Sequence, residues 1–304
     1  MPPSTLFETA VENRGLFADH FLAERFPDRA DVQALADEAD AALDRVRRLY
    51  QQYAGEVDTW NEDQTEDYFV QPILSDVLGW SRRVESFAQK QGQQGRPDYA
   101  LFTAEDRRKT AVQRAGGDET KVYDYADAVA DAKYWGRPLD GPAPDPARED
   151  AADMRRTNPS FQIIDYLTLT GVEWGLLTNG AQWRLYYAKA PSRLETYFEV
   201  NLQRICHLAG GTPDEQAEAR EAFRLFYALF RAEAHRPTVD GQPFVEVVYE
   251  ASDTYAEALE DTLKERVFDH VFLELATGLY EDHRRRKDDA NPEAALDAVY
   301  RATL

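Results

Sequence analysis

The sequence predicts an α/β fold, with a mixed β-sheet core flanked by helices and followed by a helical C-terminal connector. Apolar residues recur at helical spacing over most of the first 80 residues. Short alternating or apolar runs, which are typical of strands, follow between residues 84 and 200. Helical spacing returns after Asp214. We therefore predict a helical segment over residues 1–60, an α/β core over 61–205 and a helical connector over 206–304.

Two helices are predicted ahead of the strands. Residues 31–57 form a long amphipathic helix, because apolar side chains recur every three or four positions. These apolar side chains are Val32, Leu35, Ala39, Leu43, Val46 and Leu49. The second helix spans residues 62–77 and ends in a turn at Gly79. Its inner stripe consists of Phe69, Ile73, Leu74 and Val77.

The strands are predicted where short apolar runs lie between turn residues. They span residues 84–89, 98–102, 128–134, 174–178, 182–188 and 197–200. The dipeptide Asn179-Gly180 predicts a tight hairpin. Residues 103–125 are expected to form helix and loop, and the proline-rich stretch 138–153 a surface loop.

The remaining predicted elements are helical. Asn158 or Ser160 can cap a helix that carries Gln162 and Tyr166. Further helices are expected over residues 218–234, 255–286 and 292–304. The last of these ends without a glycine or a cap, so we expect the chain to be the front part of a longer polypeptide.

The cysteine and histidine content argues against disulfide and zinc chemistry. Cys206 is the one cysteine in the sequence, and we expect it to be a small buried apolar residue. The five histidines are scattered, without the short spacing that zinc enzymes use. No segment approaches the roughly 20 consecutive apolar residues of a membrane helix. The N-terminus does not resemble a signal sequence, so we expect a cytoplasmic protein with no membrane partner.

The chain is strongly acidic. Its formal net charge is −21, whereas phosphate binding normally depends on lysine and arginine. The acidic residues are spread along the chain, and 28 arginines stand against 7 lysines. This pattern is typical of a halophilic protein from a salt-rich cytoplasm. Charge alone leaves two interpretations open: a DNA-binding protein adapted to salt, or an acidic protein that repels DNA and binds another partner.

Two predicted strands carry charged residues that suit a metal-dependent hydrolase. Asp98 follows Pro97 at the start of one strand, and Asp131 and Lys133 lie in another. Because residues two apart on a strand point to the same face, Asp131 and Lys133 project together while Ala132 turns toward the core. Charged residues in such an apolar run are unfavourable unless they are paired or functional. The alternative is an ordinary, partly exposed ion pair.

These residue types can hydrolyse a phosphodiester. The reaction needs a nucleophilic water, shielding of the charge that develops on phosphate, and protonation of the leaving oxygen. A divalent cation held by carboxylates lowers the pKa of its water and neutralises phosphate charge. Mg²⁺ suits such a site because it takes oxygen ligands and keeps several of its waters. We expect Mg²⁺ as the cofactor, with Mn²⁺ able to substitute.

Further residues extend this pattern on both sides. Glu66 lies in the helix predicted over 62–77, from which its carboxylate could reach the same metal or its waters. Gln162 and Tyr166 are four residues apart, on one face of a helix. The order of helix glutamate, Pro-Asp strand, Asp-x-Lys strand and Gln-x-x-x-Tyr helix resembles the PD-(D/E)xK nuclease superfamily. The Gln-x-x-x-Tyr element is the form seen in type I restriction motor subunits and in nucleases fused to helicases.

The resemblance is wider than these motifs and covers about residues 15–304. Its segments include NEDQTEDYFVQPILSDVLGW, RPDYALF, ADAKYWGRPLD and NPSFQIIDYLTLTGVEWGLLTNGAQWRLY. They resemble the N-terminal nuclease region of large single-chain, type IIG-like restriction-modification proteins, in which the nuclease precedes an adenine-N6 methyltransferase. The resemblance implies a restriction-endonuclease-like core that cuts unmodified double-stranded DNA in phage defence.

The resemblance also implies roles and partners. Asp98 and Asp131 would bind the metal, Lys133 would orient or deprotonate the attacking water, and Glu66 would assist from its helix. Gln162 and Tyr166 would contact the DNA backbone or support the site. A methyltransferase and target-recognition region would lie on the same full-length polypeptide. S-adenosylmethionine would act only through that region.

Other functions remain open at this level. A catalytically silent DNA-binding or assembly domain of a defence complex would carry the same pattern, and an acidic scaffold would not bind DNA at all. The NPSF run at residues 158–161 is interpreted as a helix cap and not as a methyltransferase motif. The basic run at 284–287 could touch phosphate or complement a helix dipole. Four aromatic residues in the later strands are expected in the core: Trp174, Trp183, Tyr186 and Tyr187.

Overall fold

The computed structural model of the chain describes residues 9–84, 88–90, 93–148, 158–238, 241–267, 274–275, 277–278 and 280–281. The chain divides into two compact units, Met1–Glu250 and Ala251–Leu304. The first unit contains the β-sheet and every candidate site residue. In the described part of the second unit the backbone is helical.

The predicted α/β class is confirmed, because helices flank a mixed sheet of seven described strands. The described strands are β1 Val11–Asn13, β2 Ser81–Val84, β3 Ala88–Lys90, β4 Gln93–Gly95, β5 Tyr99–Phe102, β6 Ala128–Ala132, β7 Trp174–Thr178, β8 Gln182–Tyr187 and β9 Phe198–Asn201. The sheet order is β1-β9-β8-β7-β6-β5-β2, and β3 and β4 form a separate two-stranded ribbon. Only the β6–β7 pair is parallel among the described pairs.

The α-helices of the described chain are α1 Asp19–Glu24, α2 Ala30–Gln33, α3 Ala36–Tyr53, α4 Glu62–Thr65, α5 Glu105–Ala115, α6 Pro159–Thr170, α7 Leu202–Leu208, α8 Pro213–Phe230 and α9 Phe244–Arg266. Two π-helical segments, Glu66–Val70 and Ile73–Val77, continue the direction of α4. A 3₁₀ segment, Glu119–Tyr125, precedes β6.

Helix α6 is the crossover between the parallel strands β6 and β7 and covers one face of the sheet. Asn158 caps it by accepting a hydrogen bond from the backbone N–H of Ser160, as predicted. The helix lies close to β7 because Gly175 has no side chain: a Cβ there would lie 3.0 Å from Ile163 Cγ1. This packing places the inner face of α6 against the centre of the sheet.

Helix α8 covers the opposite face. Phe226 meets Trp183 with their ring centroids 5.7 Å apart, and Phe230 meets Phe198 at 6.3 Å. Helix α3 packs on the outside of α8 and α7. The sheet is thus buried on both sides, which explains why its central strands are apolar on both faces.

Most local predictions in the core are confirmed. The apolar stripe Phe69, Ile73, Leu74 and Val77 is buried, and the helical stretch ends before Gly79, whose φ is +75°. The β7–β8 hairpin turns at Asn179 and Gly180. All four aromatic residues predicted for the core are buried, as is Cys206.

The strand predicted over 84–89 falls on two described strands, since β2 ends at Val84 and β3 begins at Ala88, and residues 85–87 lie outside the described residues. Strand β4, Gln93–Gly95, lies where no strand was predicted. The ribbon leaves the sheet because Ala88 and Gly95 are small enough to pack on α6, a tertiary contact that residue pattern alone does not reveal.

Three other elements differ from expectation. Strand β1 was not predicted, and it pairs with β9 at the sheet edge. The predicted helix over 31–57 is divided into α2 and α3. Helix α9 begins at Phe244 and not at residue 255, because burial of Val245 and Val248 outweighs the weak helix propensity of valine. The helix predicted over 292–304 and the basic run at 284–287 lie outside the described residues.

No helix of the described residues is both long enough and apolar enough to cross a bilayer.

Candidate functional site

The candidate site forms where β5 begins and β6 ends. The antiparallel register pairs Tyr99 with Ala130, and one further step along both strands places Asp98 beside Asp131. Asp98 Oδ2 accepts a hydrogen bond of 2.6 Å from the backbone N–H of Ala132. The two aspartates, which are 33 positions apart in the sequence, thus become neighbours on adjacent strands.

Lys133 lies immediately after β6 and shares a face with Asp131, as predicted. Its Nζ is 2.8 Å from Asp131 Oδ2 and 3.2 Å from Glu62 Oε1. Lys133 is 1% exposed, Asp131 0% and Glu62 4%. The sequence alternative of a partly exposed surface pair is therefore wrong, because all three charged side chains are buried. A buried amine of this kind needs carboxylate partners, and it has two.

Glu66 approaches the same place from the helical stretch that begins with α4. Asn61 caps α4 in a reciprocal arrangement with Gln64, and Glu62 and Glu66 follow four residues apart on one face. The hydroxyl of buried Tyr99 donates a short hydrogen bond to Glu66 Oε2. The cap thus fixes the start of a helix that directs two carboxylates toward the ends of β5 and β6.

This helix is also attached to the chain that follows Lys133. Thr65, which is fully buried, accepts a hydrogen bond of 2.9 Å from the backbone N–H of Trp135 through its Oγ1. The Trp135 ring packs edge-on against Phe69, with the ring centroids 5.0 Å apart. Gly180 leaves room for this indole, since a Cβ there would lie 2.5 Å from Trp135 Cε3. The contacts hold Glu62 and Glu66 in a fixed position relative to Lys133.

Helix α6 contributes the predicted pair Gln162 and Tyr166. Gln162 Nε2 donates a hydrogen bond of 2.8 Å to Tyr166 Oη, and both residues are buried. The pKa of Tyr166 is raised, first by burial and then by the negative charge of Asp131. The Tyr166 hydroxyl therefore interacts electrostatically with the carboxylates of Asp131 and Asp98. All six residues singled out from the sequence are thus brought to one region.

The site has more acidic groups than its lysine can balance. The charges of Glu62, Glu66 and Asp131 all act on Asp98, and one amine, that of Lys133, opposes them. The pKa of Asp98 is raised well above its usual range, first by burial and then by the charge of Asp131. Burial raises the pKa of Glu66 to about 7, although the hydrogen bond from Tyr99 opposes the shift. The raised pKa values mean that ionisation of Asp98 and Glu66 is unfavourable in the folded protein unless another cation compensates their charge.

This donor set fits a hard divalent cation. Its acidic side chains supply only oxygen, and two of them, Asp98 and Asp131, face each other from adjacent strands. Within the described residues, no three histidine, cysteine or acidic side chains converge into a ready-made metal cage. Mg²⁺ does not require such a cage, because it is commonly bound by one or two carboxylates and retains several waters. The pair of aspartates and the excess negative charge are therefore compatible with Mg²⁺ or Mn²⁺.

Sequence reasoning missed two members of the site, Glu62 and Tyr99. Glu62 could have been found from its spacing, since it precedes Glu66 by one helical turn. In the sequence Tyr99 is one of several apolar strand residues, and only the three-dimensional structure shows that its hydroxyl donates a hydrogen bond to Glu66.

Comparisons of the chain with known protein families, with curated proteins and with solved structures find no significant match. The geometry of the site and the sequence motifs that meet there are therefore the basis for assigning a function.

Proposed function

We propose that this chain contains a metal-dependent endodeoxyribonuclease domain that hydrolyses phosphodiester bonds in unmodified double-stranded DNA. The observation that carries the proposal is the clustering of half-buried Asp98 with buried Asp131 and Lys133 where β5 begins and β6 ends, with Lys133 Nζ 2.8 Å from Asp131 Oδ2. These residue types come from separate motifs whose order resembles PD-(D/E)xK nucleases. The setting would be a restriction-modification or related phage-defence protein.

The two aspartates would hold the cation. Bound there, Mg²⁺ or Mn²⁺ would supply a water of lowered pKa and neutralise charge on the scissile phosphate. Asp98 is fixed for this role by its hydrogen bond from the Ala132 backbone, and Asp131 by its place in the sheet. Fixed carboxylates reorganise little when the metal and substrate arrive, which is the condition for efficient electrostatic catalysis.

Lys133 would orient the attacking water and stabilise negative charge on the phosphate. Its ammonium is held by Asp131 and Glu62, so its position is set before substrate binds. Glu66 would assist as a proton acceptor, held in place by the hydrogen bond that it accepts from the Tyr99 hydroxyl.

Gln162 and Tyr166 would support the site from α6. Their mutual hydrogen bond of 2.8 Å fixes the phenol, which interacts electrostatically with Asp131 and would support the carboxylates or contact a DNA phosphate. A methyltransferase and target-recognition region, with its S-adenosylmethionine, would belong to the same full-length polypeptide and supply the main sequence recognition.

A catalytically silent DNA-binding or assembly domain is the second candidate. The observation that favours it is the ion pair network of Lys133, which satisfies the lysine without any metal. In that case the buried charges would serve only the fold.

The test is cleavage of unmethylated plasmid with Mg²⁺ or Mn²⁺ over a range of salt concentrations. The native chain is compared with Asp98→Asn, which keeps an oxygen for the Ala132 N–H but removes the charge. Glu218→Gln, an exposed substitution on α8, is the matched control. We expect nicking or cutting by the native chain and the control, and none by Asp98→Asn. Equal activity of Asp98→Asn, or no cleavage by any of the three, would contradict the proposal.

A further inference from the structure

The two-stranded ribbon of β3 and β4 has one face packed against the protein. Ala88 pairs directly with Gly95, and both lie on this inner face. Ala88 is 1% exposed. A Cβ at Gly95 would lie 2.8 Å from Tyr166 Cε1 and 2.9 Å from Leu169 Cδ1, so only glycine permits this close approach to α6. The ribbon is therefore seated on the helix that carries Gln162 and Tyr166.

The other face of the ribbon presents two amide side chains to solvent. Gln89 pairs with Gln94, one step along from the inner pair, so alternation turns both side chains away from α6. Both glutamines are exposed. Residues directly opposite on antiparallel strands have Cβ atoms about 5 Å apart. The two amides thus lie next to each other on the outer face of the ribbon.

The stretch of sequence around the ribbon is basic in a chain that is acidic as a whole, although one of its arginines, Arg83, pairs with Glu119 at 3.6 Å. Residues 81–97 contain Arg82, Arg83, Lys90 and Arg96 against the single acid Glu85, a formal charge of +3 in a chain of −21. From residue 86 to residue 97 the sequence has no acidic residue. Such a segment can approach phosphate, whereas most of the acidic surface of this protein repels it.

The ribbon also lies beside the candidate catalytic carboxylates. Gln94 is four residues before Asp98, so their Cα atoms are at most about 14 Å apart. This upper limit corresponds to roughly four base pairs of B-DNA, at 3.4 Å per step. A duplex whose phosphate reached Asp98 and Asp131 would therefore present its nearby base pairs to the ribbon.

We propose that the β3–β4 ribbon enters the DNA major groove next to the scissile phosphate and that Gln89 and Gln94 read base edges there. A two-stranded ribbon fits the major groove, and a glutamine amide can bond adenine through N6 and N7. The ribbon would thus add a preference for A·T pairs within about four base pairs of the cut. This inference rests on the proposed nuclease function and adds a local selectivity to recognition supplied elsewhere.

The test maps where the protein cuts. Duplexes of random sequence are digested with Mn²⁺, and the fragment ends are sequenced for the native chain, Gln89→Ala/Gln94→Ala and the control Gln33→Ala/Gln113→Ala, whose exposed glutamines lie on α2 and α5. Thermal unfolding verifies that the three proteins are folded. We expect enrichment of A·T pairs near the cut by the native chain and the control, and a loss of about fivefold or more of this preference in the ribbon variant.

A second measurement separates failure of this inference from failure of the nuclease proposal. Binding of a 20-base-pair duplex in EDTA is followed by fluorescence anisotropy for the same three proteins. If the native chain cuts and the ribbon variant gives the same end sequences, the ribbon inference is overturned and the nuclease stands. If nothing cuts but the ribbon variant alone loses duplex binding, the nuclease is overturned and the groove contact stands. Neither cutting nor ribbon-dependent binding would overturn both.

Discussion

Replacing Glu66 by glutamine tests whether ionisation of Glu66 destabilises the folded protein when no metal is bound. Glutamine keeps an oxygen that can accept the Tyr99 hydroxyl but cannot ionise. In the metal-free protein, burial raises the pKa of Glu66 from 4.5 to about 7. The folded state therefore holds a proton that the unfolded state releases between these two values. We expect Glu66→Gln to be more stable than the native chain at high pH.

The direction and the size of this stability difference follow from the raised pKa of Glu66. Because the folded pKa is the higher one, the stabilising contribution of Glu66 is fully present below about pH 4.5 and is lost as pH rises through about 7. Integrating the shift between pH 5 and pH 8 gives roughly 2–3 kcal/mol at 1.36 kcal/mol per unit. We lower the expected difference to roughly 1–3 kcal/mol, because Asp98 titrates in the same electrostatic field.

The assay is urea unfolding of the native chain, Glu66→Gln and the exposed control Glu218→Gln, in EDTA at pH 5 and pH 8. The free energy of unfolding of Glu66→Gln, relative to the native chain, should increase by roughly 1–3 kcal/mol between the two pH values. The control should show no such increase. A pH-independent difference for Glu66→Gln would refute the reasoning, since it would mean that Glu66 is already compensated in the folded protein.

Three further substitutions test the packing and charge of the site. Lys133→Ala should lower the free energy of unfolding by about 3–5 kcal/mol and abolish cleavage, because it leaves buried carboxylates without their cation; unchanged urea unfolding would contradict this. Asp98→Asn should leave the metal-free protein at least as stable as the native chain at pH 8, since the pKa of Asp98 is raised; marked destabilisation would contradict the electrostatic account. Gly180→Ala should lower the free energy of unfolding by about 2–4 kcal/mol, because the new Cβ strains the backbone and collides with Trp135. Gly79→Ala is the control: its φ of +75° is also positive but its surroundings are open, so the loss should be about 1–2 kcal/mol. Equal thermal shifts of the two variants would argue against a tight fit at Trp135.

The elements that sequence analysis located correctly are those whose signals are local. The β7–β8 hairpin follows from Asn179-Gly180, and the start of α6 from Asn158 as its cap. The shared face of Asp131 and Lys133 follows from strand alternation alone. Each of these signals acts within a few residues, so it survives in the folded protein.

The features that were missed depend on distant contacts. The β3–β4 ribbon is determined by the fit of Ala88 and Gly95 against α6, about 70 residues later in the sequence. Likewise, the partnership of Lys133 with Glu62 joins residues 71 positions apart. Composition and periodicity contain no information on such pairs, so the contact between Lys133 and Glu62 could not be predicted.

The central claim is that the carboxylates at the ends of β5 and β6 form a divalent-cation site. The most direct measurement is titration with Mn²⁺ at pH 8, following free Mn²⁺ by electron paramagnetic resonance, for the native chain, Asp98→Asn, Asp131→Asn and Glu218→Gln. We predict binding by the native chain and by Glu218→Gln, with affinity lower by about tenfold or more in both aspartate variants. Native-like Mn²⁺ binding by Asp98→Asn and Asp131→Asn, or no binding by the native chain, would contradict the account.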